Sequence, residues 1–179
     1  VRHRNVVDIL DIDKDESGTP FIAQEYLDGE DFSHLLERYP DGIPPGVALS
    51  VVAPIVDAVR AAHEKGVVHR DLKPENVFLA KLDGVTVPKV LDFGISKLPR
   101  SDQSVRLTGT HAIMGSPQYM SPEQILTPQS VDARSDIWSL GVMLFECLTG
   151  RLPFEGESAD VLFVKICHDD PLRLTDVAP

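Results

Sequence analysis

Hydrophobic and polar residues follow two different periods along this chain, one typical of β-strands and one typical of α-helices. Short apolar runs bounded by turn-forming residues predict β-strands. The predicted strands are residues 6–12, 20–26, 67–68, 77–79, 85–87 and 89–91. The polar residues 13–19 predict a turn that joins the first two strands.

Apolar residues at three- and four-residue spacing predict four helices. These helices cover about residues 31–39, 47–65, 135–149 and 159–168. The apolar positions of the second helix are Val51, Val52, Ile55, Val56 and Val59. Gly66 and Gly150 follow the second and third helices, where C-terminal caps belong. Pro54 has no N–H for a helical bond, so we expect a bend there or a later helix start. Residues 40–46, and the polar and aperiodic residues 94–121, predict loops.

Composition narrows the class of protein. The 179 residues suffice for one domain with a sizeable core. The sequence has no long uncharged apolar run, so we expect no membrane contact by this segment. The net charge of −11 disfavours nucleic acid and anionic membranes as partners. Cys147 and Cys167 lie in apolar context without metal-type spacing. They predict buried free thiols in a reducing, cytoplasmic location. The full-length protein could still have a membrane anchor outside this segment.

One ordered set of polar residues carries the candidate chemistry. Asp71, Lys73 and Asn76 lie within V-H-R-D-L-K-P-E-N-V-F-L, and Asp92 follows in K-V-L-D-F-G. A carboxylate can accept a hydrogen bond from a substrate hydroxyl, while a lysine can neutralise phosphate oxygens. A second carboxylate and an amide oxygen are hard ligands of the kind that Mg²⁺ prefers. The set therefore predicts a site that binds ATP–Mg²⁺ (or ATP–Mn²⁺) and transfers its terminal phosphoryl group.

Two further motifs, M-G-S-P-Q-Y-M-S-P-E at residues 114–123 and S-D-I-W-S-L-G at residues 135–141, follow in order. Together the four motifs resemble those of the protein kinases, most closely the eukaryotic-like serine/threonine kinases of bacteria. The resemblance implies an α+β, protein-kinase-like fold that is mostly the helical C-terminal lobe, with the last strands of the N-terminal lobe. It implies one partial kinase domain over residues 1–179: residues 1–27 end the N-terminal lobe and hinge, and residues 28–179 form the C-terminal lobe without its final helices.

The opening V-R-H-R-N-V-V resembles the junction before the fourth strand of a kinase domain. The glycine-rich phosphate loop, the strand lysine and its glutamate partner are then expected to be missing, and the chain alone is expected to be inactive.

The resemblance also implies how the nucleotide is bound. Backbone groups of Glu25 and Leu27 would contact adenine, Phe78 would lie beneath the base, and Asp31 would bind the ribose. An ordinary surface charge on a helix is the alternative for Asp31. Gln24 would stand at the back of the pocket, where a polar residue is less common.

Further residues receive supporting roles by the same resemblance. His69 and Phe93 would stack in a hydrophobic spine, and Gly94 would let the metal-binding loop flip. Asp136 would anchor the backbone of the catalytic loop, with a helix N-cap as the alternative. Ser116 would bridge Asp71 and Lys73.

The resemblance also implies how the kinase is regulated and which residue type it phosphorylates. Arg70 and Lys97 would form a basic pocket for phosphate on Thr108 or Thr110, added by autophosphorylation, with a kinase dimer as a possible arrangement. Lys73 favours serine or threonine of protein substrates over tyrosine. Glu123 would pair with an arginine beyond the end of this chain.

Two alternatives remain open. The first is a pseudokinase-like module that binds partners without catalysis. The presence of Asp71, Asn76 and Asp92 argues against it, because such modules are expected to have lost active-site residues. A small-molecule phosphotransferase shares the Asp…Asn…Asp plan, but it would not be expected to carry the docking segment of residues 115–123.

Overall fold

The computed structural model describes residues 1–93 and 116–177, and in these ranges it has an α+β architecture. The strands are β1 (Ile9–Lys14), β2 (Pro20–Gln24), β3 (Gly29–Asp31), β4 (Val77–Leu82) and β5 (Val85–Val90). The α-helices are α1 (Phe32–Glu37), α2 (Pro45–His63), α3 (Pro122–Leu126), α4 (Ala133–Thr149), α5 (Ala159–His168) and α6 (Leu174–Val177). Three short 3₁₀ helices cover Pro74–Asn76, Pro117–Tyr119 and Pro128–Ser130.

Strands β1 and β2 form an antiparallel pair, which confirms the predicted turn between them. Asp15 closes this turn, because its Oδ1 accepts hydrogen bonds from the backbone N–H groups of Ser17 and Thr19, each at 2.9 Å. The predicted start of β1 at residue 6 is wrong. Val6 is buried and forms an isolated parallel bridge with Val90, so the first apolar pair belongs beside β5.

The second sheet has three antiparallel strands in the order β3-β4-β5. Asp83 and Gly84, with φ of 49° and 78°, make the two-residue turn between β4 and β5. The two strands predicted at residues 85–87 and 89–91 are one strand that contains Pro88. Because β5 is an edge strand, Pro88 need not donate to a ladder, and its carbonyl accepts from the Asn5 side chain at 2.7 Å.

The predicted strand at residues 67–68 is also wrong. The N–H of Val67 donates to the carbonyl of Ala62 at 3.0 Å, which ties this segment to the end of α2.

Helix α2 begins at Pro45, two residues earlier than predicted, so a later start caused by Pro54 is wrong. Proline is well suited to the first helical position, where its missing N–H would have had no partner. The buried face of α2 is Ala48, Val51, Val52, Ile55, Ala58, Val59 and Ala62, whereas Val56 is exposed. Among the described helices, α2 is the one long and apolar enough to span a membrane, and its buried face packs on α4 and β5 as a core helix does.

Helix α4 confirms the predicted central helix and starts two residues earlier than expected. Asp132 is its N-cap and accepts the N–H of Arg134 at 2.9 Å, so the alternative of Asp136 as N-cap is wrong. Gly150 ends the helix in the left-handed conformation at φ 66°.

Helix α5 has the predicted bounds, and α1 ends at residue 37 rather than 39. The main core lies between α2, α4 and the second sheet, and a smaller cluster of Phe154, Leu162 and Ile166 packs beside it. Trp138 contacts both clusters and stacks on Phe154 with ring centroids 5.9 Å apart. The short helices α3 and α6 were not predicted, because four or five residues carry too little periodicity.

Candidate active site

The loop that carries Asp71 is held by a buried carboxylate on α4. Asp136 is fully buried and accepts the backbone N–H groups of His69 at 2.9 Å and Arg70 at 2.8 Å. The ring Nε2 of His63 lies 2.7 Å from the same carboxylate. A buried carboxylate is tolerated when it is hydrogen-bonded in this way. Asp136 therefore fixes the loop backbone immediately before Asp71.

Arg70 has a left-handed backbone with φ of 70°, which is uncommon for a residue other than glycine. Such a conformation persists where the surroundings hold it. Here Asp136 accepts the Arg70 N–H, and the Gln124 side chain donates to the Arg70 carbonyl at 2.6 Å. Helices α3 and α4 thus define the direction in which the chain enters residue 71.

Asp71, Lys73 and Asn76 come together as the sequence motif predicts. The Asn76 amide donates to the Asp71 carbonyl at 2.7 Å and to its Oδ2 at 3.1 Å. The Lys73 Nζ lies 3.8 Å from Asp71 Oδ2. The Asp71 side chain is half exposed, whereas the Lys73 side chain is 15% exposed. The arrangement presents a carboxylate to solvent beside an oriented cation, and the amide nitrogen of Asn76 rather than its oxygen faces Asp71.

His69 joins the loop that carries Asp71 to the segment that carries Asp92. Its Nε2 donates to the Leu91 carbonyl at 2.8 Å, and its Nδ1 accepts the N–H of Asp71 at 3.3 Å. The ring of Phe93 meets the His69 ring edge-on at a centroid distance of 4.9 Å. Burial lowers the pKa of His69, although the Leu91 carbonyl and nearby carboxylates oppose this. The neutral ring therefore serves as a structural link.

Asp92 follows β5 in a left-handed conformation with φ of 54°. The preceding N–H, of Leu91, donates to the Asn76 carbonyl at 2.9 Å, which connects the two proposed metal ligands through the backbone. The Gln24 Nε2 lies 3.3 Å from Asp92 Oδ1. This contact was not predicted, because the sequence places Gln24 only at the back of the pocket.

Glu25, at the hinge position, is held by its side chain as well as by its backbone. Its Oε1 accepts Lys89 Nζ at 2.5 Å and the Asp8 N–H at 2.9 Å, and its own N–H donates to the Asp8 carbonyl at 2.9 Å. Burial opposes ionisation of Glu25, but the bonds from Lys89 and Asp8 prevail and lower its pKa. The Glu25 backbone N–H is therefore already paired within the protein.

The contact of Lys89 with Glu25 was not predicted from the sequence, and Lys89 is only 6% exposed. The signal was present, because a lysine in an otherwise apolar strand needs an acidic partner.

Asp31 and Phe78 are direct partners in the β3–β4 register, so the two predicted nucleotide-binding positions are adjacent. Asp31 is also the N-cap of α1. Its Oδ1 accepts the Ser33 hydroxyl and the His34 N–H, and its Oδ2 lies 2.9 Å from His34 Nδ1. Burial works against the charge, but these bonds lower the pKa of Asp31. The carboxylate therefore has a local helix-capping role in this structure.

Ser116 does not bridge Asp71 and Lys73, so this prediction is wrong. Its hydroxyl instead donates to Glu75 Oε1 at 3.0 Å, because Ser116 lies beside Glu75 in the structure.

A cavity of about 350 Å³ beside this contact is lined by Glu75, Tyr119 and Glu146, among others. The Tyr119 hydroxyl donates to Glu146 Oε2 at 2.6 Å. Burial raises the pKa of both groups, although the hydrogen bond from Tyr119 lowers that of Glu146.

Glu123 accepts the Ser135 hydroxyl at 2.6 Å, which links α3 to α4. Burial opposes its ionisation, but hydrogen bonding to Ser135 and other groups lowers its pKa. Gly94, Lys97, Thr108 and Thr110 lie outside the described residues, so their predicted roles stay predictions.

The oxygen atoms of Asn76 and Asp92 suit a hard cation that is also held by phosphate oxygens. Within residues 1–93 and 116–177 no three His, Cys, Asp or Glu side chains cluster in a way that could hold a metal on their own. The oxygen of the Asn76 amide and Oδ2 of Asp92 accept no hydrogen bond from the described residues. An amide oxygen and one carboxylate oxygen are the small protein contribution typical of Mg²⁺ bound with a nucleotide.

Comparison with known proteins defines the class to which this fold and site belong. The family described as protein kinase domain matches residues 1–176. The chain belongs to this family, whose members generally use ATP and Mg²⁺ and act on proteins.

Within the family the chain is similar to bacterial serine/threonine kinases. It is 43% identical over 160 residues to the serine/threonine-protein kinase Pkn1 of Myxococcus xanthus, covering 88% of this chain and 22% of Pkn1. It is 40% identical over 174 residues to pkn3 of the same organism, covering 96% of this chain and 31% of pkn3. It is 38% identical over 176 residues to PknB of Mycobacterium leprae, covering 96% of this chain and 27% of PknB. The chain thus spans between a fifth and a third of the length of these relatives.

Proposed function

We propose that the protein containing this chain is an ATP-dependent serine/threonine protein kinase that transfers the γ-phosphoryl group to protein hydroxyls. The observation that carries the proposal is the position of Asp71. Its carboxylate is exposed, bonded to Asn76 and 3.8 Å from Lys73, on a backbone that Asp136 anchors. Phosphoryl transfer depends mainly on such positioning and on neutralisation of charge.

Each residue has a definite task in this proposal. Asp71 accepts the hydrogen bond of the substrate hydroxyl and aims its oxygen at the phosphorus, taking the proton late in the transfer. Lys73 places its charge beside the oxygens of the transferred group. Asn76 and Asp92 hold the metal, which would neutralise charge on the phosphates when bound. The hinge carbonyl of Glu25 and the backbone of Leu27 hold adenine, Phe78 supports the base, and Asp31 contacts the ribose.

Regulation by autophosphorylation at Thr108, Thr110 or both is part of the proposal. A phosphate adds close to two negative charges and would be attracted by Arg70 and Lys97. Arg70 supports this role, since its Nε is buried without a hydrogen-bond partner among the described residues. A transient kinase dimer would allow one copy to modify the other.

We further propose that this chain alone does not transfer phosphate, because the motifs found in it include no glycine-rich phosphate loop and no strand lysine. We place this segment of the protein in the cytoplasm, where ATP and reduced thiols are available. Radiolabelled phosphate transfer to a generic basic protein tests these points, with the chain assayed alone and within its native full-length protein. Transfer by the full-length protein alone supports both proposals. Silence of the full-length protein, with its loop threonines phosphorylated, would instead favour a non-catalytic binding module.

A further inference from the structure

A side chain outside the kinase motifs contacts one of the proposed metal ligands. Gln24 is the last residue of β2, and its amide Nε2 lies 3.3 Å from Oδ1 of Asp92, which is 68 residues away in the sequence. The two residues line one cavity of about 370 Å³, whose other lining residues are both apolar, such as Val7 and Phe93, and charged, namely Arg2 and Asp8. Gln24 is half-buried and Asp92 is exposed, so the contact restrains a carboxylate that otherwise faces solvent.

The backbones on both sides of this contact are held in place. On one side, Gln24 pairs with Ile9 across the β1–β2 ladder, and the next N–H, of Glu25, donates to Asp8. On the other side, Leu91 is bonded to the Asn76 carbonyl, and Phe93 packs on His69. The backbone at each end of the contact is therefore held independently of the contact itself.

The chemistry of the contact is directional. An amide N–H can donate to a carboxylate oxygen, but it offers no lone pair to a cation. The Gln24 amide therefore occupies Oδ1 of Asp92 and leaves Oδ2, which accepts no hydrogen bond from the described residues, for a metal. Asp92 also has a left-handed backbone, and a strained residue keeps its conformation only where neighbours support it.

We propose that Gln24 is a positioning residue for Asp92, so that the residue at position 24 sets the affinity of the site for its divalent cation. This inference rests on the proposed kinase function, since it takes Asp92 as a ligand of the metal that accompanies the nucleotide. The competing explanation is that Gln24 only shapes the back of the adenine pocket. The two explanations differ in which affinity changes when the amide is removed.

The test is a binding measurement on the full-length protein with Gln24→Met, which keeps the length of the side chain and removes its donor. Mn²⁺ affinity is measured by paramagnetic resonance with a non-hydrolysable ATP analogue, and adenosine affinity is measured without metal by calorimetry. Ile22→Val, on the same strand, is the matched control. We expect Gln24→Met to weaken Mn²⁺ binding about three- to tenfold, as the loss of one ordinary, exposed hydrogen bond implies, with adenosine binding and the control almost unchanged.

Unchanged Mn²⁺ affinity in Gln24→Met, or an equal loss of adenosine affinity, would overturn the proposal. Should the variant fail to fold, the ¹⁵N-resolved side-chain amide of Gln24 in the Asp92→Asn protein decides the question. A shifted amide resonance supports the contact, and an unshifted one overturns it. If the wild-type protein binds no Mn²⁺ with the nucleotide and transfers no phosphate, the proposed function itself fails. The result differs if only the role of Gln24 is wrong. In that case the wild type binds Mn²⁺ and transfers phosphate, and Gln24→Met has the same Mn²⁺ affinity as the wild type.

Discussion

The carboxylate of Asp136 lies 2.9 Å from the backbone nitrogen of His69, a residue 67 positions earlier in the chain. This hydrogen bond joins the first turn of α4 to the loop before Asp71. Helix α4 thereby fixes the backbone directly before the residue on which the proposed reaction depends.

Asp136→Asn is therefore expected to lower both stability and phosphate transfer. The substitution keeps the shape of the side chain but removes the charge that two backbone N–H groups and His63 share. Loss of charge-assisted bonds at a buried site implies a decrease of about 2 kcal/mol in the free energy of unfolding. Urea denaturation and kcat measure the two effects. Asp132→Asn, an exposed N-cap that asparagine also serves, is the control and should change little. Equal effects of the two variants would contradict the anchoring role.

Lys89→Met should destabilise the connection between the hinge and β5. The ammonium group is buried beside Glu25, and removing one partner leaves a partly buried carboxylate without its counter-ion. The expected loss is about 2–3 kcal/mol, measured by denaturation, and it should be non-additive with Glu25→Gln. Lys81→Met, on the exposed end of β4, is the control.

The Glu25–Lys89 pair also predicts a pH dependence. The folded protein lowers the pKa of Glu25 below its ordinary value of 4.5, so the contribution of the pair is complete above that pH and decreases as pH falls through the folded pKa. Wild-type stability should thus fall more steeply than that of Glu25→Gln below about pH 4.5. Parallel curves for the two proteins would argue against the pair.

Tyr119→Phe and Glu146→Gln probe the cavity beside Glu75. The folded protein raises the pKa of Glu146 by burial, so its contribution to stability is largest below its ordinary value of 4.5 and decreases as pH rises through the folded pKa. Removing the Tyr119 hydroxyl should enlarge this decrease, because the ionised carboxylate loses a donor, and Glu146→Gln should abolish it. Thermal unfolding between pH 4 and 8, with Tyr39→Phe as the exposed control, checks both outcomes. An unchanged slope in Glu146→Gln would show that another group titrates.

Gly29→Ala tests the close approach of β3 to β4. Gly29 has φ of 148°, and a Cβ there would lie 2.1 Å from the backbone carbonyl oxygen of Leu79. The backbone must move, so we expect a loss of about 2 kcal/mol or more, together with weaker nucleotide binding at Asp31 and Phe78. Gly46→Ala is the control, because it lies in the first turn of α2 with open space around its Cβ, and it should stabilise slightly. Equal stability of the two variants would contradict the predicted strain.

The sequence predicted the parts of the site that are local in the chain. Asp71, Lys73 and Asn76 lie within one short loop, so their order alone indicates their proximity. The central helix was predictable for a related reason, because its period and the cap at Gly150 are visible in consecutive residues.

The contacts that the sequence did not predict join residues far apart. Gln24 meets Asp92, Lys89 meets Glu25, and neither pair has a spacing that periodicity could reveal. The strand bounds near Val6 were wrong for the same reason, since its partner is Val90. The bridge expected of Ser116 was wrong because Glu75 offers a carboxylate closer to its hydroxyl.

In the proposed reaction, Asp71 positions the hydroxyl that receives the phosphoryl group. The most direct test of this role is the rate of phosphate transfer by the full-length protein carrying Asp71→Asn, compared with Asp83→Asn, which makes the same chemical change in an exposed turn. We expect Asp71→Asn to lower kcat by about 10²- to 10⁴-fold with little change in ATP affinity, and Asp83→Asn to match the wild type. Equal rates in all three proteins would contradict this role of Asp71.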